Sequence, residues 1–419
     1  MNKPVSKVRE AKLELYRKKG KIHAREVRGR FNTIRWAMVW FTQIIFYGVC
    51  WLQWGGRQAV LFDIPHEKFY LFGLVLWPQD ALLAAIALIL AATGLFLVTA
   101  LAGRLFCGFA CPQTVYTAIF MWVEARVEGD HLARLKLDQS PPTLRKFAVR
   151  GTKYALWGLI AAWTAITFVG YFTPIRELLP AVAGWNLGPW EAFWLIFYAL
   201  FTYVQAGFAR EAVCQHMCPY SRFQGVMFDN TTRTVSYDVA RGEPRKGKGG
   251  GDCIDCGICV QVCPTGIDIR DGLQYQCINC GLCVDACDEV MIKVARPVGL
   301  IRFASEQELA GMPRHNARPR LAVYAGLLGL FVALGAWTVT QRSLLLVDVL
   351  RDRGSLAREA SDGRIENAYT LKLANLAEEP RDFDVAVSGL PGIELLGTTR
   401  FVADPGSIRE VRVTVVAPP

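Results

Sequence analysis

Five long apolar stretches limit what this chain can fold into: residues 36–54, 81–102, 154–172, 190–209 and 321–340. A helix that crosses a bilayer needs about 20 consecutive apolar residues. Any one such stretch reads equally well as a buried core helix. Five of them, each flanked by charge or aromatic rings, read as membrane spans. The first is too long and too rich in Trp for a cleaved leader. Residues 69–77 are short, aromatic and end at Pro78, and they read as an interfacial piece. Residues 114–127 place Val115, Ile119, Trp122 and Val123 at helical spacing, with Glu124 and Arg126 on the other side. That pattern predicts a helix lying on the membrane surface.

The formal net charge is +10. In a soluble chain such charge suggests nucleic acid, but here its distribution speaks for membrane orientation and against a nucleic-acid partner. Lys and Arg are dense in residues 1–35, 103–153 and 210–319. Residues 55–79 carry only Arg57 and Lys68, and residues 173–189 carry only Arg176. The alternation predicts a multi-pass membrane protein. Its N-terminus and the loops at 103–153 and 210–319 would lie in the cytoplasm. The remaining loops and the tail after Thr340 would lie outside.

Eight of the 13 cysteines fall between Cys253 and Cys287, on the side expected to be reducing. Metal ligation suits that placement better than disulfides. The run Cys253-Ile-Asp-Cys256-Gly-Ile-Cys259-Val-Gln-Val-Cys263-Pro264 repeats as Cys277-Ile-Asn-Cys280-Gly-Leu-Cys283-Val-Asp-Ala-Cys287. Three thiolates at this spacing serve one cubane, and the fourth ligates the other cluster. The expected ligand sets are therefore Cys253, Cys256, Cys259 and Cys287 for one [4Fe–4S] cluster, and Cys277, Cys280, Cys283 and Cys263 for the second. Gly257 and Gly281 stand where the backbone must turn tightly. Asp288, where a proline would match the first run, changes a turn and not the ligand count. Zinc sites more often use separated ligand pairs.

A second duplication is Cys107-Gly-Phe-Ala-Cys111-Pro112 and Cys214-Gln-His-Met-Cys218-Pro219. Residues four apart share a helix face, so each pair could grip a metal. Thiolates favour Cu(I), with His216 and Met217 inside the second motif. Cys107, Cys111, Cys214, Cys218 and His216 are thus copper candidates, against the plainer reading of small packing residues at helix ends. Cys50 reads as core and His66 as polar surface, while His23, His131 and His315 lack ligand-like neighbours in the sequence. Gly55-Gly56 reads as a turn. Residues 365–416 alternate apolar and polar residues at 369–373, 383–387 and 411–415, between turns such as Asp404-Pro405-Gly406. That is the signature of a small β-sandwich.

The predicted organisation is a basic arm (1–35), a four-helix membrane domain (36–240), a ferredoxin domain (241–319), a fifth transmembrane helix (320–341) and a β-sandwich (342–419). The fold class is an α-helical membrane protein with five transmembrane helices, an inserted bacterial-type 2[4Fe–4S] ferredoxin domain and a C-terminal β-sandwich.

Taken together, these motifs resemble the cytochrome oxidase accessory proteins of the CcoG/FixG/RdxA family. The resemblance is carried by Trp54-Gly-Gly-Arg-Gln-Ala-Val-Leu-Phe-Asp63, Phe72-Gly-Leu-Val-Leu-Trp-Pro-Gln-Asp80, both Cys-x3-Cys-Pro motifs and the doubled cluster run. Asp285-Ala-Cys-Asp-Glu-Val-Met291 and Gly299-Leu-Ile-Arg302 add to it. The chain is more distantly similar to the membrane ferredoxins of periplasmic nitrate reduction, which lack a β tail. The closer resemblance implies a bacterial inner (cytoplasmic) membrane, an immunoglobulin-like tail in the periplasm and a cupric reductase serving assembly of the cbb-type oxidase. Copper ions would be the substrate, and copper chaperones or oxidase assembly factors the partners. The chain stops at Val415-Val-Ala-Pro-Pro419, short of the length the resemblance implies, so an incomplete sandwich is expected. Two other readings stay open: electron transfer to a quinone or a partner enzyme, and a non-redox assembly scaffold. The cytoplasmic electron donor, the cluster potentials, the copper stoichiometry and any homo-oligomer are not legible.

Overall fold

The structure is a computed structural model that describes residues 22–245, 250–312, 318–352, 354, 358–360, 363–377 and 379–418. Most of the basic arm, part of the Gly/Lys linker before Cys253, His315 and Pro419 lie outside the described residues. In chain order, α1 (Arg30–Val49) leads into the hairpin of β1 (Gln53–Trp54) and β2 (Arg57–Gln58). A meander of β3 (Val60–Asp63), β4 (Lys68–Leu71) and β5 (Leu74–Leu76) follows. Next come α2 (Ala81–Ala102), α3 (Leu105–Phe109), α4 (Pro112–Glu128), α5 (His131–Gln139), α6 (Leu144–Val169), α7 (Ile175–Ala183) and α8 (Pro189–Val204). Two π-turns, Gln205–Ala209 and Val213–Met217, precede α9 (Pro219–Val226). The cysteine-rich region runs from β6 (Thr234–Tyr237) and α10 (Val239–Gly242), through α11 (Ile258–Gln261) and α12 (Leu282–Lys293), to β7 (Ile301–Ala304) and α13 (Glu306–Leu309). Then α14 (Pro319–Thr340) leads to β8 (Leu345–Arg351), β9 (Arg358–Glu359), β10 (Ile365–Asn375), β11 (Arg381–Asp384), β12 (Glu394–Leu396), β13 (Arg400–Ala403) and β14 (Ile408–Ala417).

Four described helices are long and apolar enough to cross a membrane: Pro78–Ala102, Leu105–Glu128, Pro189–Ala209 and Pro319–Thr340. This corrects the expected five. The stretches 36–54 and 154–172 do form α1 and α6 but fall outside that set. The first carries Arg35, and the second carries Lys153, Thr164 and Thr167, all buried inside the fold. The segment read as a surface helix belongs to the set instead. Its acidic side faces inward, with Glu124 at 0% exposure, rather than toward water.

The chain divides into two compact units, Met1–Leu52 with Thr93–Ala325, and Gln53–Ala92 with Gly326–Pro419. In the first, a buried ionic cluster ties the helices together. Glu124 on α4 lies 3.0 Å from Arg210, 3.4 Å from Lys153 on α6 and 3.5 Å from Arg134 on α5. Lys153 also lies 2.6 Å from Glu128. Trp157 stacks on Phe120 at 5.2 Å and donates to the Phe120 carbonyl at 3.0 Å. Lys153 and Arg210 lie over the Trp157 ring. Asp285 of α12 accepts from the backbone N–H groups of Phe31 and Asn32, capping α1 with a side chain far away in sequence. A Cβ on Gly29 would come within 2.3 Å of that carboxylate, so the close approach requires glycine.

In the second unit, Gly55 and Gly56 close the β1–β2 hairpin with φ of 57° and 81°. Two successive positive φ values suit glycine. Residues 69–77, expected to be interfacial, contribute β4 and β5 instead. Their Val75 and Trp77 pack with Ala374 and Leu376. Arg342, past the end of α14, pairs with Asp80, just before α2, at 2.8 Å. The tail has a five-stranded sheet of order β12-β14-β10-β8, with β9 also on β10, and a separate β11–β13 pair. Leu371, Leu373, Phe401, Val411 and Val413 form its core. The alternating segments 369–373 and 411–415 lie in β10 and β14, which pair from Ile365↔Ala417 to Ala374↔Ile408.

Removing one partner from a buried charge cluster strands the others. Lys153→Met should therefore lower stability by about 3–5 kcal/mol, measured as a shift in unfolding in detergent. A surface exchange such as Lys293→Met should leave it within about 0.5 kcal/mol.

Candidate redox metal centre

The two cysteine runs adopt the same backbone. Asp255 and Gly257 have φ of 58° and 68°, and Asn279 and Gly281 have φ of 52° and 75°. In each run the left-handed glycine is the residue before a helix, α11 or α12. A Cβ on Gly281 would meet the Phe31 ring at 2.6 Å, so space as well as φ requires glycine there. Strands β6 and β7, which flank the region in sequence, pair antiparallel from Thr234↔Ala304 to Tyr237↔Ile301. Val235, Tyr237, Ile267, Ile269, Met291, Leu300 and Ile301 form a core around the thiols.

The eight side chains line two small cavities of ≈ 20 Å³ each. One is lined by Cys253, Cys256, Cys259 and Cys287. The other is lined by Cys263, Cys277, Cys280 and Cys283, and by Cys259 as well. Among the described residues, no three His, Cys, Asp or Glu side chains are grouped to hold a single metal ion. Cubane ligands bind separate irons and need no such grouping. Burial pushes the thiols up: Cys259 to about 11, Cys277 and Cys287 to about 12, and Cys283 well above its ordinary value. Neighbouring thiols add to the rise at Cys283. Bound iron would supply the positive charge that holds these sulfurs as thiolates. An all-sulfur donor set in an apolar enclosure fits an iron–sulfur cluster.

The other two motifs adjoin the second cavity. Pro112 and Pro219 open α4 and α9, and Cys111 and Cys218 are the extended residues just before them. Proline suits a helix's first position but cannot continue the preceding one. The paired cysteines therefore do not share one helix face, which corrects that expectation. Cys107 lies in α3, and Cys214 lies in a π-turn. Cys107 is close enough to Cys111, Cys214 and Cys218 to interact electrostatically with all three. Burial, then Cys111 and Cys218, pushes Cys214 up to about 12. The Cys107 thiol donates to Gln224 Oε1 at 3.2 Å.

Helix α3 packs backbone to backbone on the second cysteine run. A Cβ on Gly108 would meet the Ile278 carbonyl at 2.7 Å and Cys280 Cα at 3.0 Å. Cys107 joins the core of Ile278, Cys280 and Leu282. Arg104, 2% exposed, faces Cys277 as well as Cys107, Cys214 and Cys218. Its Nη1 donates to the Tyr275 carbonyl.

Cys50 is fully buried among Val169, Ile175 and Leu178. His66 is exposed beside Asp63. His23 is buried and pairs with Asp138 at 2.8 Å, a partner 115 positions away. His216 lies in the second π-turn, between Cys214 and Cys218. Sequence reasoning missed Arg104, Arg35 and Gln224. An arginine at the end of an apolar run reads first as an orientation signal, and only its burial distinguishes it.

Three family profiles match the chain. One described as "4Fe-4S dicluster domain" matches residues 209–249 and 243–306. Another, "4Fe-4S binding domain", matches residues 84–128. The third, "IG-like fold at C-terminal of FixG, putative oxidoreductase", matches residues 335–419. Nitrogen fixation protein FixG of Rhizobium meliloti is 36% identical over 90% of this chain and 81% of that protein. Protein RdxA of Cereibacter sphaeroides is 40% identical over 90% of this chain and 84% of its own length. The methylamine utilization ferredoxin-type protein MauN of Paracoccus denitrificans is 30% identical over 45% of this chain and 56% of that protein. No solved structure matches. With iron–sulfur binding motifs, long apolar helices and an IG-like tail, the chain belongs to the FixG/RdxA family of electron-transfer proteins.

Proposed function

We propose that the protein is a membrane-bound iron–sulfur reductase that converts Cu(II) to Cu(I) for assembly of a cbb-type oxidase. The cavity of Cys253, Cys256, Cys259 and Cys287 would hold one [4Fe–4S] cluster, and that of Cys263, Cys277, Cys280 and Cys283 the second. The clusters would supply single electrons, one for each Cu(II) that becomes Cu(I). Cys107, Cys111, Cys214 and Cys218, with His216, would receive copper. The observation that carries this reading is the direct packing of α3, which bears Cys107, on the Ile278–Cys280 backbone. Soft thiolates favour Cu(I) over Cu(II), so they would stabilise the reduced ion.

The cysteine-rich region would face the cytoplasm and the β tail the periplasm, with α14 between them in the chain. Copper chaperones or oxidase assembly factors would collect the product.

A second reading, electron exchange with a quinone, is favoured by one cavity of ≈ 890 Å³. Trp36, Trp40 and Trp122 form an indole wall, and Ile258, Val262 and Ala286, next to cluster-type cysteines, form another.

Anaerobically purified protein should contain about eight iron atoms per chain, by the ligand count of two cubanes. Zinc in their place would reject the assignment. Cys214→Ser with Cys218→Ser should keep that iron but lose copper binding and most cupric reduction, followed with a Cu(I) chelator. An unchanged rate would reject the copper site, and quinone-dependent oxidation of the reduced protein would then favour the second reading. Reporter fusions after Gly251 and Gly363 should report opposite sides of the membrane. A shared side would reject the proposed orientation.

A further inference from the structure

Three arginines reach the two cysteine cavities, and they are neutralised unequally. Arg270 faces Cys259, but it is held by Asp255 at 2.6 Å and by Asp268 at 2.7 Å. A further acid, Asp288, follows Cys287 in the chain, accepts from the Gly299 N–H at 2.8 Å and acts on the charge of Cys287. Beside the other cavity, Arg35 on α1 shares a cavity wall with Pro264 and Leu282, next to Cys263 and Cys283, and acts on Cys280 and Cys263. Arg104 donates from Nη1 to the Tyr275 carbonyl, two residues before Cys277, and acts on Cys107 and then Cys277. Arg35 is 8% exposed and Arg104 2%, and neither forms an ion pair with a described residue. Two nitrogens of Arg104, Nε and Nη2, are buried with no hydrogen-bond partner among the described residues. A buried arginine left this way is costly unless something anionic lies beside it. The groups it faces are sulfurs, which become anionic when they ligate a cluster.

We propose that Arg35 and Arg104 give the two cysteine cavities different reduction potentials, the cavity of Cys263, Cys277, Cys280 and Cys283 having the higher. This rests on the proposed assignment of one cluster to each cavity. In both cavities the ligands are four thiols, and the volumes, ≈ 20 Å³ each, are equal. Ligand type and size therefore do not separate them; the surrounding charge does. An uncompensated cation in a dry interior favours the more negative, reduced state of a centre beside it, and water screens it little there. Arg35 and Arg104 supply that charge at one cavity. At the other, Asp255 and Asp268 cancel Arg270, and Asp288 adds a negative charge. The two arginines thus favour the reducing equivalent in the cavity that α3 and Cys107 adjoin. They act through the sulfurs' surroundings and are positioning residues.

The test is an EPR-monitored redox titration of the full-length protein in detergent, with iron counted in every sample. The parental protein should give two separated midpoints. Arg104→Met and Arg35→Met should each lower the higher midpoint and leave the lower one in place. Arg104→Lys, which keeps the charge, should preserve it. Asp268→Asn should raise the lower midpoint and narrow the gap from the other side. With iron retained, an unmoved higher midpoint in both Met variants overturns the proposal, as does an equal fall in both midpoints or a fall in the lower one alone. If the Met variants lose iron, Asp268→Asn decides, because an unmoved lower midpoint would equally overturn it. Iron missing from the parental protein would reject the cluster assignment of the preceding section instead.

Discussion

Glu124 is the charge around which the helical unit is arranged. It is wholly buried, and its carboxylate is reached by cations from α5, from α6 and from the turn that ends the first π-segment. A lone carboxylate in that position would be prohibitive, so the cations are not optional. Their placement has a geometric effect. Glu124 lies on the helix that starts after Cys111, and Arg210 lies four residues before Cys214. The 3.0 Å contact between them therefore fixes one Cys-x3-Cys-Pro segment against the other. Gln113 reinforces the link by donating to the carbonyls of Gln205 at 2.9 Å and Arg210 at 3.2 Å. Two motifs about a hundred residues apart are gathered by ionic and amide contacts, not by the sulfurs themselves.

The cysteine-rich region is organised differently. Its thiols are gathered by backbone shape, with paired left-handed residues in each run and an apolar core behind them. The two halves of the candidate centre meet at α3, where a side chain on Gly108 would collide with the opposite backbone. A contact that close leaves no room for a spacer. It explains why the short Leu105–Phe109 helix separates two longer ones instead of continuing either.

What could be read in the sequence was local. Cysteine spacing, the glycines after Cys256 and Cys280, and the alternating strands of the tail are properties of a few adjacent residues. The structure gathers the eight spaced cysteines around two cavities, and the segments 369–373 and 411–415 lie in paired strands, while 383–387 is strand only at Phe383 and Asp384. What could not be read depended on partners far away in the chain. Glu124 and Arg126 looked like the wet side of a surface helix, because nothing nearby shows that Glu124 meets Lys153, Arg134 and Arg210. The stretches 36–54 and 154–172 read as spans, because nothing in them shows that Arg35, Lys153, Thr164 and Thr167 are buried in the fold. The proline after each cysteine pair starts a new helix, which four-residue spacing alone does not reveal. Arg104 reads only as part of a charge pattern.

The cap that Asp285 places on α1 also concerns the order of assembly. α1 emerges from the ribosome early, yet the carboxylate that satisfies its first N–H groups lies 254 residues downstream of Phe31. Closing so long a loop carries an entropic cost. The cap on α1 cannot form until α12 has been synthesised, and α12 begins at the second cysteine run. The earliest of the described helices is thus one whose N-terminal cap is supplied late.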